Sequence, residues 1–184
     1  VVVVIGLLFA LSCTGDRLDI DISDIEVDVK IKRFHEALFK TPPEQIPEKI
    51  PEWKEEFGEF YTIYNQSVLA IGSSDSPGYV QQLRGFSSHP DYREVYQECQ
   101  KNFPDLVQLN NELTEAFKHY KYYFPNDTIP GIYTCISGFN YRVFTGEKSI
   151  GIGLDMFLGP EADFYKQLVG WHNYMSYMTY PQRI

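Results

Sequence analysis

A basic face, a paired-cysteine motif and an apolar run of membrane length are all missing from this 184-residue chain. Sixteen Lys and Arg stand against 25 Asp and Glu, a formal charge of −9. That balance excludes nucleic acid as a partner, because its phosphates need a basic surface. It also argues against a purely electrostatic hold on anionic lipid. Cysteine is scarce, with only Cys13, Cys99 and Cys135, and no CxxC spacing joins any two of them. The apolar run at residues 1–11 falls well short of the about 20 residues a helix needs to cross a bilayer core. Catalytic signatures are incomplete. His35-Glu36-Ala37-Leu38-Phe39 opens like the zincin HExxH helix but puts Phe39 where the second ligand belongs. His35 is therefore read as a surface or boundary residue of a helix. His89, His119 and His172 lie far apart, each without a neighbouring Cys or second His. No GxSxG elbow occurs, and Gly151-Ile152-Gly153-Leu154-Asp155 lacks the third glycine of a dinucleotide loop. No catalytic residue, metal ligand or cofactor site is expected in these residues.

What is present begins with residues 1–11, of the length of a signal-peptide h-region. Ser12-Cys13-Thr14-Gly15 follows, small residues around a cysteine. The arrangement resembles a bacterial lipobox, in which the cysteine takes a diacylglycerol and becomes the first mature residue. Residues 1–12 are thus expected to be a lipoprotein signal segment, residues 13–24 a tether, and residues 25–184 an α+β domain. The membrane would then be a partner through a lipid anchor at Cys13, held by about 0.8 kcal/mol per buried methylene. The competing reading makes residues 1–11 a buried strand and Cys13 a core thiol. Cys99 and Cys135 are read as buried free thiols, with one disulfide as the alternative that an oxidising compartment permits.

With 43% hydrophobic and 16% aromatic residues, the chain has the material for one packed domain. Ile25, Val27, Val29 and Ile31 alternate with Glu26, Asp28, Lys30 and Lys32, the pattern of a half-buried strand. A short helix is expected over 34–40, ended by Thr41-Pro42-Pro43. An apolar stripe through Ile46, Ile50, Trp53, Phe57, Phe60 and Tyr64 predicts a helix from Pro51 to about Ile71. Further helices are expected over 79–86, from Pro90 through Cys99, and from Leu106 through Tyr120. Strands are predicted over 129–136, 141–144 and 149–154, with a hairpin turn at Thr145-Gly146-Glu147-Lys148. A helix over 161–169 and an aromatic-rich segment over 171–180 complete the chain. One strand, several amphipathic helices and a closing meander make an α+β fold on a small mixed or antiparallel sheet.

Asp155, at a strand end, is expected either to line a cleft or to cap a turn beside Pro160. Tyr133 and Phe139 are the other expected cleft-lining residues. Tyr120-Lys121-Tyr122-Tyr123-Phe124 reads as core, with a groove for peptide or glycan as the alternative.

Three segments carry a resemblance. They are Ile25-Glu26-Val27-Asp28-Val29-Lys30-Ile31-Lys32-Arg33-Phe34 after the lipobox, Pro130-Gly131-Ile132-Tyr133-Thr134 continuing to Ser137-Gly138-Phe139, and Ile152-Gly153-Leu154-Asp155-Met156-Phe157-Leu158-Gly159. In this order they resemble the GldB family, gliding-motility-associated lipoproteins of the Bacteroidetes. The resemblance implies an envelope lipoprotein needed for surface gliding and linked to type IX secretion. With no complete catalytic set in these residues, the first reading is a non-enzymatic one that acts through other gliding and secretion envelope proteins. It also implies a layout like the N-terminal part of a zincin-like domain, and a chain that continues beyond Ile184. An exported zincin-like metallopeptidase, active or degenerate, whose metal-binding helix lies past Ile184, is the alternative. A surface glycan-binding lipoprotein is the third reading, resting on aromatic content.

Overall fold

The computed structural model describes residues 20–159 together with Ala162 and Tyr165. Its first described segment keeps the predicted alternation of burial. Val27 and Val29 turn inward while Glu26, Asp28 and Lys30 face water, yet only Ile31–Arg33 pairs as strand β1. The expected strand is shortened because its neighbour is short. β1 lies parallel to β2 (Gly131–Cys135) with Ile31 opposite Ile132, and Pro130, just before β2, has no N–H to extend the ladder.

Helix α1 (Phe34–Lys40) follows β1 directly, and Thr41 is extended, as the residue before a proline prefers. A 3-10 turn at Pro43–Gln45 leads into α2 (Ile46–Ile63). This helix starts five residues before the expected Pro51, because Pro47 fills its first turn, where the absent N–H costs nothing. Gly58, at φ 50°, kinks α2. The helix then widens into a π turn at Tyr64–Val68 instead of running on to Ile71. Helices α3 (Tyr79–Ser88), α4 (Pro90–Asn102) and α5 (Val107–Tyr123) lie where the apolar spacing placed them. Pro90 begins α4 at its first position, and the His89 side chain caps it by accepting from the Asp91 N–H.

Strands β3 (Val143–Thr145) and β4 (Ser149–Gly153) form the expected hairpin. The Glu59 carboxylate of α2 accepts from the N–H groups of Glu147 and Lys148 at 2.9 Å each and from Ser149 Oγ at 2.7 Å, which pins the turn to the helix. The sheet order is β1-β2-β4-β3, with β1, β2 and β4 parallel and only β3 antiparallel. The late strands are therefore not a meander. Residues 136–142 carry the chain past the β4 position to the outer edge, and β4 returns to lie between. Gly151 makes this close-packed arrangement possible, for a Cβ there would run into the Phe144 ring lying across it. Gly153 does the same against the Tyr141 carbonyl oxygen.

Phe34 is the hub of the core. Its ring meets Trp53, Phe57, Phe60, Tyr61 and Tyr64 edge to face, at centroid distances of 4.9 to 5.7 Å. Phe60 also stacks on Tyr133 of β2 at 4.6 Å and on Phe144 of β3 at 5.6 Å, which fastens α2 to one face of the sheet. Five helices packed on a four-stranded mixed sheet, among the described residues, make this an α+β fold as the sequence predicted. No helix among those residues is long and apolar enough to cross a membrane. Cys13, the expected helix over 161–169 apart from Ala162 and Tyr165, and the segment 171–180 lie outside the described residues.

Candidate functional site

Asp155 sits in the 3-10 turn Leu154–Met156 that ends β4, fully buried. Its Oδ1 accepts from the Ser137 N–H at 2.8 Å. Its Oδ2 accepts from Ser137 Oγ at 3.0 Å and from the Phe139 N–H at 2.6 Å. The loop it holds is the one leaving β2, where Gly138 and Phe139 take φ of 69° and 62°. Phe139 has no glycine-like freedom, and the carboxylate helps keep this strained turn in place together with Asn140 Nδ2, which donates to the Ser137 and Val68 carbonyls. Burial pushes the Asp155 carboxyl up to about 6, and the hydrogen bonds from Ser137 and Phe139 oppose that rise. The Tyr165 hydroxyl donates to the Asp155 backbone carbonyl at 2.8 Å and accepts from the Leu158 N–H at 2.7 Å.

Of the residues expected to line a cleft, Asp155 and Phe139 are therefore brought together, as a fastened loop. Tyr133 is elsewhere, stacked on Phe60 at the α2 face. Ser137, which the sequence did not single out, provides two of the three donors. Its signal was present as a small hydroxyl residue beside a glycine, the pattern of a tight turn.

His35 is not a surface or boundary residue. It is buried, on the α1 face that also carries Leu38 and Phe39, and its Nδ1 lies 3.0 Å from Thr134 Oγ1 of β2. The spacing of 35, 38 and 39 was the missed signal, since residues three and four apart share a helix face. Burial drives the imidazole down to about 4, so the ring is neutral at pH 7. Cys99 and Cys135 are buried free thiols, each pushed well above the ordinary thiol range, first by burial. Among the described residues no three His, Cys, Asp or Glu side chains gather as a metal site would require.

The end of α5 departs from its expected place in the core. Tyr122, Tyr123 and Phe124 are 50%, 54% and 51% exposed, with Tyr120 beside them. Hydrogen bonds anchor the first two residues of this cluster. Tyr120 donates its hydroxyl proton to Asp127 Oδ2 at 2.6 Å, and Lys121 Nζ donates to the carbonyls of Pro125 and Asp127. Phe124 packs on Tyr120 at 5.0 Å, and Tyr123 meets Tyr122 edge to face at 5.2 Å. Four aromatic rings thus stand exposed at one helix end, in two contacting pairs.

No curated protein and no solved structure matches the chain. The sequence signature of the gliding motility protein GldB, a lipoprotein family, matches residues 15–184. That span takes in β1, the fastened loop 137–139, Asp155 and the aromatic end of α5, and on its extent the chain belongs to the GldB family of gliding motility proteins.

Proposed function

We propose that the protein is lipidated at Cys13 and acts at the envelope by docking to other proteins of the gliding apparatus through the aromatic end of α5, with no chemistry of its own. Membership in a gliding-motility lipoprotein family gives the envelope role. The observation that carries the docking reading is the exposed cluster of Tyr120, Tyr122, Tyr123 and Phe124. Aromatic side chains are enriched where proteins meet, because each buries a large area at small entropic cost. Tyr120, held through Asp127, arrives with its ring already placed, which lowers the ordering cost of association further. The non-enzymatic part rests on the groups that chemistry would need. Asp155 has both carboxylate oxygens committed to one loop, and the two thiols are sealed and held protonated. A secretory signal over residues 1–12 and passage of partner proteins through type IX secretion fit the same picture.

Two outcomes test the two halves. Metabolic labelling with a radioactive fatty acid is expected to mark the wild-type protein and leave Cys13→Ser unlabelled; equal label on both rejects the anchor. Cells carrying Tyr122→Ser, Tyr123→Ser and Phe124→Ser together are expected to stop spreading on agar. Such surface changes shift stability by only about 0.5 kcal/mol each, so protein level and membrane fractionation should stay normal. Undiminished spreading rejects docking through α5.

A further inference from the structure

The sheet ends at β1 on one side, and the segment that leads into β1 has an empty ladder. Residues 26–29 make no backbone hydrogen bond among the described residues. Their faces are nonetheless set, for Val27, Val29 and Ile31 pack against the core while Glu26, Asp28, Lys30 and Lys32 face water. A strand in that state presents a row of N–H and C=O groups that another strand can take up. Which groups point outward follows from the neighbours. The Gly131 N–H donates to the Lys148 carbonyl, towards β4, so by alternation the N–H groups of Ile132 and Thr134 point to β1. With Ile31 opposite Ile132, those bonds go to the carbonyls of Lys30 and Lys32. The N–H and C=O of Ile31 therefore face the free edge, and those of Val29 and Val27 follow at the strand's period of two.

The charges of this segment say what would pair with it. Acids come first, at 26 and 28, and lysines last, at 30 and 32, with Val29 between them. Turned end for end about Val29, the segment matches itself with the signs reversed. Glu26 meets Lys32, Asp28 meets Lys30 and Val27 meets Ile31, and opposite charges across a ladder attract. A parallel pairing in the same register would set every charge against its like. Lysines on an edge ordinarily keep other strands away, but here each would find a carboxylate. Lys30 and Asp28 pair along their own strand at 2.8 Å with side chains 80% and 75% exposed, so both can reach across. Lys32 gives one N–H to the Glu56 carbonyl at 2.6 Å and keeps two further donors. Beside the edge, Val107 is 61% exposed and shares a dent of about 270 Å³ with Ile31, Arg33 and Leu106. The same pairing brings Ile25 of the second copy opposite Arg33, an apolar side chain next to that dent.

We propose that two copies of this chain associate through β1, antiparallel about Val29, and join their sheets into one. The contact uses the same patch on both copies and closes on itself, so assembly stops at the dimer. Seven residues of strand span about 24 Å, and pairing them buries less than a standard interface. A Kd of about 10 µM is therefore expected. The formal charge of −9 on each copy opposes the approach, but at physiological salt that field falls off over about 8 Å and leaves the local pairs to decide. The aromatic cluster lies at the other end of α5 from Val107, so either surface can fail without the other.

The test is sedimentation equilibrium of the whole chain in physiological salt, carrying Cys13→Ser so that no acyl chain drives association. A monomer–dimer equilibrium is the expected result. Asp28→Lys sets like charges opposite each other at two symmetric places and should weaken the dimer at least about tenfold. Glu26→Lys, which acts on the pair with Lys32, should shift it in the same direction. Asp28→Lys combined with Lys30→Asp restores opposite signs across the ladder and should restore the dimer. These positions are exposed, so thermal melts of the variants should match the parent chain. A monomer at about 100 µM overturns the proposal. So does a mass that Asp28→Lys leaves unchanged, or a double variant that stays as weak as the single one.

Discussion

Replacing Asp155 with Ala is expected to remove about 3–5 kcal/mol of stability and lower the melting temperature by roughly 10 °C. The change leaves the N–H groups of Ser137 and Phe139 and the Ser137 hydroxyl without their acceptor. A buried donor in that state costs about 1–3 kcal/mol, and the loop loses part of what holds Phe139 at positive φ. Asp155→Asn keeps one acceptor oxygen and should cost about half as much. Thermal melts followed by circular dichroism give the answer. A loss below about 1 kcal/mol for the Ala variant would show that the loop stands without the carboxylate.

The response of stability to acid should change sign with the residue that is removed. His35 is held at about 4 in the fold against an ordinary 6.5, so the unfolded chain binds its proton more tightly. The stability this gives is full above pH 6.5 and drains away as pH falls towards 4, by about 3 kcal/mol. Asp155 runs the other way. Its carboxyl stands at about 6 in the fold against 3.8, so the folded state holds that proton more tightly. Stability from this group is greatest below 3.8 and is lost as pH rises through 6, again by about 3 kcal/mol. Between pH 4 and 6 the two nearly cancel. Asp155→Asn leaves His35 unopposed, and that variant should lose about 3 kcal/mol more than the wild type between pH 6.5 and pH 4. His35→Gln should gain relative to the wild type over the same interval. Urea midpoints at several pH values measure both, and parallel profiles for wild type and Asp155→Asn would refute the linkage.

Much of the backbone was legible because its signals are local. The 34–40 helix is bounded by a prolines-after-threonine stop, and the β3–β4 turn by Thr145-Gly146-Glu147-Lys148. What failed was set by partners distant in sequence. The alternation over 25–31 gave the inward and outward faces but not the pairing, which depended on where β2 begins, a hundred residues on. The strand order was hidden for the same reason. Asp155 was visible as an acid at a strand end, but the three donors that bury it lie 16 and 18 residues upstream. Tyr122, Tyr123 and Phe124 fail differently. An aromatic run at a helix end has the same composition whether the core covers it or water does, and only the path of the neighbouring chain decides.

The central claim is that the end of α5 is a contact surface in the envelope, and site-specific photocrosslinking in living cells tests it most directly. A photoreactive residue placed at Tyr123 should join the protein to one envelope protein of the gliding apparatus. The same residue at Gln81, on the exposed side of α3, should give no such product. An adduct confined to position 123 is the predicted result; equal adducts at both positions, or none at 123 in gliding cells, would contradict the account.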